Sequence, residues 1–127
     1  MIPKKFSIKK IPSYGPYNTC VFIGGFLFVS GQIAIDQNTE KLVSYSIEME
    51  TKKIMENIKI ILSENGIGFE NVIKTSVFVT DINFFPKINH IYAQFFHKGS
   101  YPARETIEVS GLPKDANVEI SLIAYKN

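Results

Sequence analysis

The sequence predicts an α+β fold, a mixed β-sheet with two helices packed on one of its faces. Two segments carry apolar residues at helical spacing. Several others alternate or run β-branched and aromatic, and no linker, repeat or composition break divides residues 1–127, so a single domain is expected.

Residues 21–29 form two short β-rich runs joined by Gly24-Gly25. A Gly-Gly pair suits a two-residue hairpin, because a type I′ turn needs positive φ at both central positions. Ser30-Gly31-Gln32 interrupts the pattern, and Asp36 to Glu40 reads as a polar loop, leaving room for a third short strand before the first helix. Residues 47–65 place Ile47, Ile54, Met55, Ile58, Ile61 and Leu62 on one stripe, and Gly66 supplies the helix stop. Residues 72–79 read as a strand. Asp81 or Asn83 can cap a second helix with Pro86 in its first turn, an apolar stripe of Phe85, Ile88, Ile91, Tyr92, Phe95 and Phe96, and an end at Gly99. Two strands follow at about 104–109 and 117–125. The last sets Val118, Ile120, Leu122 and Ala124 against Glu119, Ser121, Ile123 and Tyr125. If helices cover the Val118 face, the other face stays half-apolar and has no helix to meet it, which suggests association with further copies.

The composition narrows the function classes. The chain is 45% hydrophobic and 20% charged, which excludes a disordered or fibrous chain. A single cysteine, Cys20, excludes a disulfide framework and a multi-thiolate zinc site, and reads as a small buried residue. No apolar run reaches the ~20 residues of a membrane helix, and no signal peptide is visible. A cytoplasmic location is expected, with a mitochondrial one left open. The net charge of +2 is too small and too mixed to argue for nucleic acid, and the cluster Lys4, Lys5, Lys9 and Lys10 reads as a solvated edge strand. His90 and His97, seven apart on the second predicted helix, stand about 10 Å apart along its axis, too far for one metal. No phosphate-cradling loop or dinucleotide fingerprint is complete, so neither metal nor cofactor is expected.

Five segments together are more specific. They are Tyr14-Gly15-Pro16-Tyr17, Ser30-Gly31-Gln32-Ile33, Val77 to Asn83, Asn89-His90-Ile91-Tyr92, and Tyr101-Pro102-Ala103-Arg104 continued by Leu112-Pro113-Lys114-Asp115 and Val118-Glu119-Ile120. In this order and spacing, from about residue 7 to 125, they closely resemble the reactive-intermediate deaminase family, RidA, also called YjgF and often labelled endoribonuclease L-PSP.

The resemblance implies a chorismate-mutase-like fold and a homotrimer, its three sheets packed into a central barrel with ligand clefts between subunits. It also implies cofactor-free hydrolysis of 2-enamine or 2-imine acids, such as 2-aminoacrylate, to 2-oxo acids and ammonia. By the same resemblance Arg104 grips the substrate carboxylate and Glu119 positions or activates water. Tyr17, Ser30, Gly31, Asn89 and the backbone N–H of Thr106 line the cleft. Departures from the family pattern are Asn18-Thr19-Cys20, Ala34, and Ser121 in place of a common second acid. Other roles stay open from the residues alone. Arg104, the only arginine, could form a surface salt bridge with Glu105 or Glu108. Glu119 could be a solvated or interface charge, Tyr17 a core aromatic, and Ser30 and Asn89 turn and helix-surface residues. A non-catalytic trimer that binds 2-oxo acids is the competing function. A ribonuclease or translation inhibitor is disfavoured by the low charge.

Overall fold

A computed structural model describes residues 1–127. Its strands are β1 (Lys4–Phe6), β2 (Cys20–Ile23), β3 (Phe26–Gln32), β4 (Val72–Val79), β5 (Ala103–Glu108) and β6 (Val118–Tyr125), and its helices are α1 (Ile47–Glu64) and α2 (Phe85–Tyr92). All six strands make one sheet in the order β1-β2-β3-β6-β4-β5, with β4 and β5 parallel and every other pair antiparallel. The parallel pair requires a crossover, and α2 supplies it.

Local chemistry explains most boundaries. Gly24 (φ 58°) and Gly25 (φ 87°) make the tight β2–β3 turn. The Ser46 hydroxyl accepts from Met49 N at the start of α1. At its end Gly66 takes φ 72°, and Gly66 N and Ile67 N donate to Ser63 O and Leu62 O. The lysine-bearing segment begins as an edge strand, β1, and Lys9 and Lys10 lie in the turn after it.

Ser30-Gly31-Gln32 interrupts the pattern as a register shift after Val29, with β3 running on to Gln32. Two expectations need correction. The optional strand before α1 is a single bridge, Ile35 to Leu42. The second helix stops at Tyr92 rather than near Gly99. A 3-10 turn over Ala93–Phe95 follows, and Phe96 is extended (φ −122°, ψ 154°). The aromatic rings account for the early stop. Phe95 and Phe96 turn onto Phe69, with centroids at 5.5 and 5.3 Å, instead of continuing a helical stripe. His97 therefore lies beyond the helix that carries His90.

Period-two alternation sorts β6 as its sequence suggests. Val118, Ile120, Leu122 and Ala124 are buried under the helices with Leu27, Val29, Val77 and Val79 from the neighbouring strands and Ile54, Met55, Ile58, Ile61 and Leu62 from α1. The opposite sheet face has no helix. It exposes Phe28 (43%), Ile107 (46%) and Tyr125 (40%), and Tyr125 packs edge-on against Phe26 at 5.0 Å. Cys20 is buried beside Asn65, and desolvation pushes its thiol up to about 11, so it stays protonated.

One buried polar atom has no partner, the Thr51 hydroxyl on α1, in a residue with no exposed surface. A buried unpaired hydroxyl costs about 1–3 kcal/mol. Thr51→Val keeps the shape and the β-branch, so it should raise stability by about 1 kcal/mol. Urea unfolding checks this, and a lower midpoint for Thr51→Val would mean that the hydroxyl is satisfied.

Candidate functional site

Arg104 sits on β5 opposite Thr75 of β4, and Thr75 is buried, so the arginine stands on the helix-covered face near the open edge of the sheet. There it meets α2. Its Nη2 donates to Asn89 Oδ1 at 2.6 Å, and its guanidinium lies 4.8 Å from the Tyr92 ring centroid and 5.3 Å from that of Phe85. The Tyr92 hydroxyl is in turn bonded to Thr75 Oγ1 at 2.7 Å, which fixes the ring beneath the arginine. Burial raises the Tyr92 pKa, so the phenol stays neutral there.

No carboxylate pairs with Arg104. Glu105 is held by the Ser76 hydroxyl and by Lys74, 3.1 Å away, and Glu108 accepts from Ile82 N at 2.7 Å. The salt-bridge alternative thus does not hold within the chain. The guanidinium is oriented by aromatic rings and an amide oxygen, and its charge has no counter-ion. Thr106, two residues along β5, lies on the same face beside Val77.

Glu119 occupies the other face of the sheet. Its strand neighbours Val118 and Ile120 point to the core, so its own side chain points away from the helices. The half-buried carboxylate makes no hydrogen bond or ion pair, and desolvation holds it above the usual carboxylate range. A raised pKa makes it a stronger base than a solvated glutamate.

Gly31 explains how the carboxylate fits. A Cβ built at position 31 would stand 2.6 Å from both Glu119 Cδ and Oε2. The side chain thus fills the space that glycine leaves open, without any demand on φ. Both residues line a cavity of about 500 Å³ whose wall also includes Tyr14, Tyr17, Lys114 and Asn57.

The sequence-predicted residues therefore fall into two groups. Tyr17, Gly31 and Glu119 share the cavity, whereas Arg104, Asn89 and Thr106 cluster at the β5 edge on the opposite face, with β4 between the two strands. A single chain does not bring the groups together. Ser30 belongs to neither, because its hydroxyl donates to Asn18 O at 2.7 Å and it is absent from the cavity wall. Asn89 is engaged with Arg104 rather than standing open to a ligand. Sequence reasoning missed Phe85 and Tyr92 as partners of the arginine. Their helical spacing made them core candidates, and nothing in that pattern separates a core ring from one that carries a cation.

Comparison with known proteins identifies the family and the fold. A family model described as Endoribonuclease L-PSP matches residues 7–126. A RutC family protein of Pyrococcus abyssi is 44% identical over 121 residues, covering 95% of this chain and 94% of that protein. The human protein named 2-iminobutanoate/2-iminopropanoate deaminase is 38% identical over 127 residues, covering 99% of this chain and 92% of its own. Among solved structures, E. coli TdcF with bound serine superposes with a TM-score of 0.90 at 35% identity, covering 98% of this chain and 99% of that one.

The Gly31–Glu119 contact can be tested directly. The atoms that a new Cβ would strike belong to the far end of a side chain, so Gly31→Ala should fold and lose less than about 2 kcal/mol of stability. Its crystal structure should show the Glu119 carboxylate displaced from the cavity wall. An unmoved carboxylate with a shifted β3 backbone would mean that the strand, rather than the side chain, gives way.

Proposed function

The chain belongs to the Endoribonuclease L-PSP family, the RidA and YjgF group, and on that premise we propose that it hydrolyses small 2-imino or 2-enamine acids, such as 2-aminoacrylate, to 2-oxo acids and ammonia. The observation that carries the reading is Arg104, a permanently charged planar fork, oriented by Asn89, Tyr92 and Phe85 and lacking a carboxylate of its own. Such a group suits bidentate capture of a substrate carboxylate. The name of the human relative supports the same chemistry.

Arg104 and Glu119 lie on opposite faces within one chain, so the reading includes a homotrimer in which the Arg104 edge of one copy meets the Glu119 cavity of the next. The uncovered apolar face with Phe28, Ile107 and Tyr125 supports self-association. The proposed unit is the whole chain acting as one domain, needing no cofactor, in a reducing, cytoplasm-like compartment where a buried thiol persists. No helix is long and apolar enough to cross a membrane.

In this mechanism the carboxylate is fixed on Arg104, which places the imine carbon against the wall formed by Tyr17, Gly31 and Glu119. The protonated imine is already electrophilic. Water adds its oxygen to C2 while Glu119 takes the water proton, giving a carbinolamine. The proton then passes to nitrogen, the C–N bond breaks, ammonia leaves, and the C2 hydroxyl proton is lost as the 2-oxo acid forms. Thr106 contributes its backbone N–H near the carboxylate, Tyr17 closes the wall, and Ser30 supports it through the neighbouring backbone.

Serine bound to TdcF favours one alternative, a binding or regulatory role for small amino or oxo acids without turnover. RNA cleavage has a weaker basis, because the net charge is only +2 and the chain has a single arginine.

Turnover of freshly generated 2-aminoacrylate separates the two leading readings. Arg104→Lys keeps the charge and loses the fork, so it should weaken pyruvate binding by roughly tenfold or more, since hydrogen bonds to charged groups are worth about 1.5–3 kcal/mol each. Calorimetry measures this beside light scattering of each variant, with a mass near three chains expected throughout. Parental binding by Arg104→Lys would reject the carboxylate clamp, and dissociation into monomers would make Arg104 an interface residue.

A further inference from the structure

Glu50 is fully buried, yet no lysine, arginine or histidine pairs with it. It lies in the first turn of α1, where the helix dipole favours an anion. A carboxylate removed from water is costly unless its oxygens are satisfied. Three donors satisfy them. Oε2 accepts from Asn117 N at 2.8 Å and from Val118 N at 3.1 Å, and Oε1 accepts from Asn117 Nδ2 at 2.9 Å.

These two backbone groups stand where the sheet gives out. β3 pairs with β6 only as far as Gln32 opposite Ile120, so on that side no strand reaches Val118 or Asn117. On the other side β4 ends opposite Val118, and Thr80 N donates to Asn117 O at 3.1 Å. The Glu50 carboxylate substitutes for the missing strand and ties the start of β6 to α1. The next residue is Glu119, whose own carboxylate is held by no hydrogen bond. Its location is set by the backbone behind it and by the gap at Gly31.

We propose that Glu50 is a positioning residue for Glu119, its buried carboxylate fixing the Asn117–Val118 backbone and so setting where the Glu119 carboxylate stands in the cavity. The catalytic part of this inference rests on the imine-hydrolysis reading, and the geometric part does not. Glu50 touches neither cavity nor ligand. It acts from the opposite face of the sheet, through one peptide unit of β6. An error in this anchor moves a general base relative to its water, and a displacement of about 1 Å can cost on the order of 10²-fold in rate.

Three variants test it. Glu50→Gln keeps the size but removes the buried charge and puts an amide NH₂ where Asn117 Nδ2 found an acceptor, so the Asn117 amide must turn over to accept from it. Glu50→Gln combined with Asn117→Asp restores an acceptor there. Glu50→Ala removes the anchor. In the full-length protein with ¹³C-labelled glutamate, Glu50→Gln should shift the Glu119 carboxyl resonance and its titration midpoint, leave that of exposed Glu64 unchanged, and lose roughly tenfold in kcat with KM for 2-aminoacrylate within about twofold. The double variant should recover most of both. An unmoved Glu119 resonance overturns the proposal, as does parental kcat beside a moved one. If Glu50→Ala fails to fold, the two glutamine variants still decide. If the parent shows no turnover, imine hydrolysis is rejected, and the resonance alone decides whether Glu50 sets the Glu119 geometry.

Discussion

The alternation along β6 constrains the rest of the molecule. β6 is the strand between β3 and β4, and every second residue from Val118 to Ala124 is sealed under the helices. A slip of one residue would send Glu119 into the apolar core and expose four aliphatic side chains. Register is thus enforced by burial on one face, and that enforcement places Glu119, Ser121, Ile123 and Tyr125 on the other. The helix-covered face holds the fold together. The open face carries Glu119, which reaches the cavity wall, and the surface through which copies are proposed to meet.

The two charged residues of the proposed site are kept ready by different means. Arg104 is held by rings and an amide oxygen and has no anion within the chain to pair with it. Glu119 is held by the absence of a side chain at Gly31 and by the backbone of its own strand. Burial raises its pKa by desolvating the carboxylate. Within one chain the two are separated across the sheet, and neither serves as the other's counter-ion.

Much of this was legible in the residues. Gly24-Gly25 pointed to the hairpin because such a pair suits a turn with two positive φ values, and residues 72–79 coincide with β4 because their β-branched and aromatic run favours a strand. The end of α2 was not legible. Tyr92, Phe95 and Phe96 fit a helical stripe, and only the tertiary contact with Phe69 shows that the last two leave it. For the site, Arg104 and Glu119 were named from motif resemblance, but their placement on opposite faces depends on the β4–β5 pairing, which no local pattern encodes. The Asn89 contact with Arg104 is hidden for the same reason, since the two are fifteen residues apart on different elements. Nothing local in the sequence singles out Glu50, because its partners lie 67 and 68 residues further along the chain.

If one site takes Arg104 from one copy and Glu119 from another, as proposed, mixing of variant subunits restores it. Arg104→Ala and Glu119→Gln should each lose turnover of 2-aminoacrylate by ~10²-fold or more. Co-refolded in equal amounts, they should regain about a quarter of the parental activity, because random assortment in a ring places an intact Arg104 beside an intact Glu119 at one junction in four. Activity that stays at the level of the separate variants, in trimers shown by mass to contain both chains, would contradict a shared site.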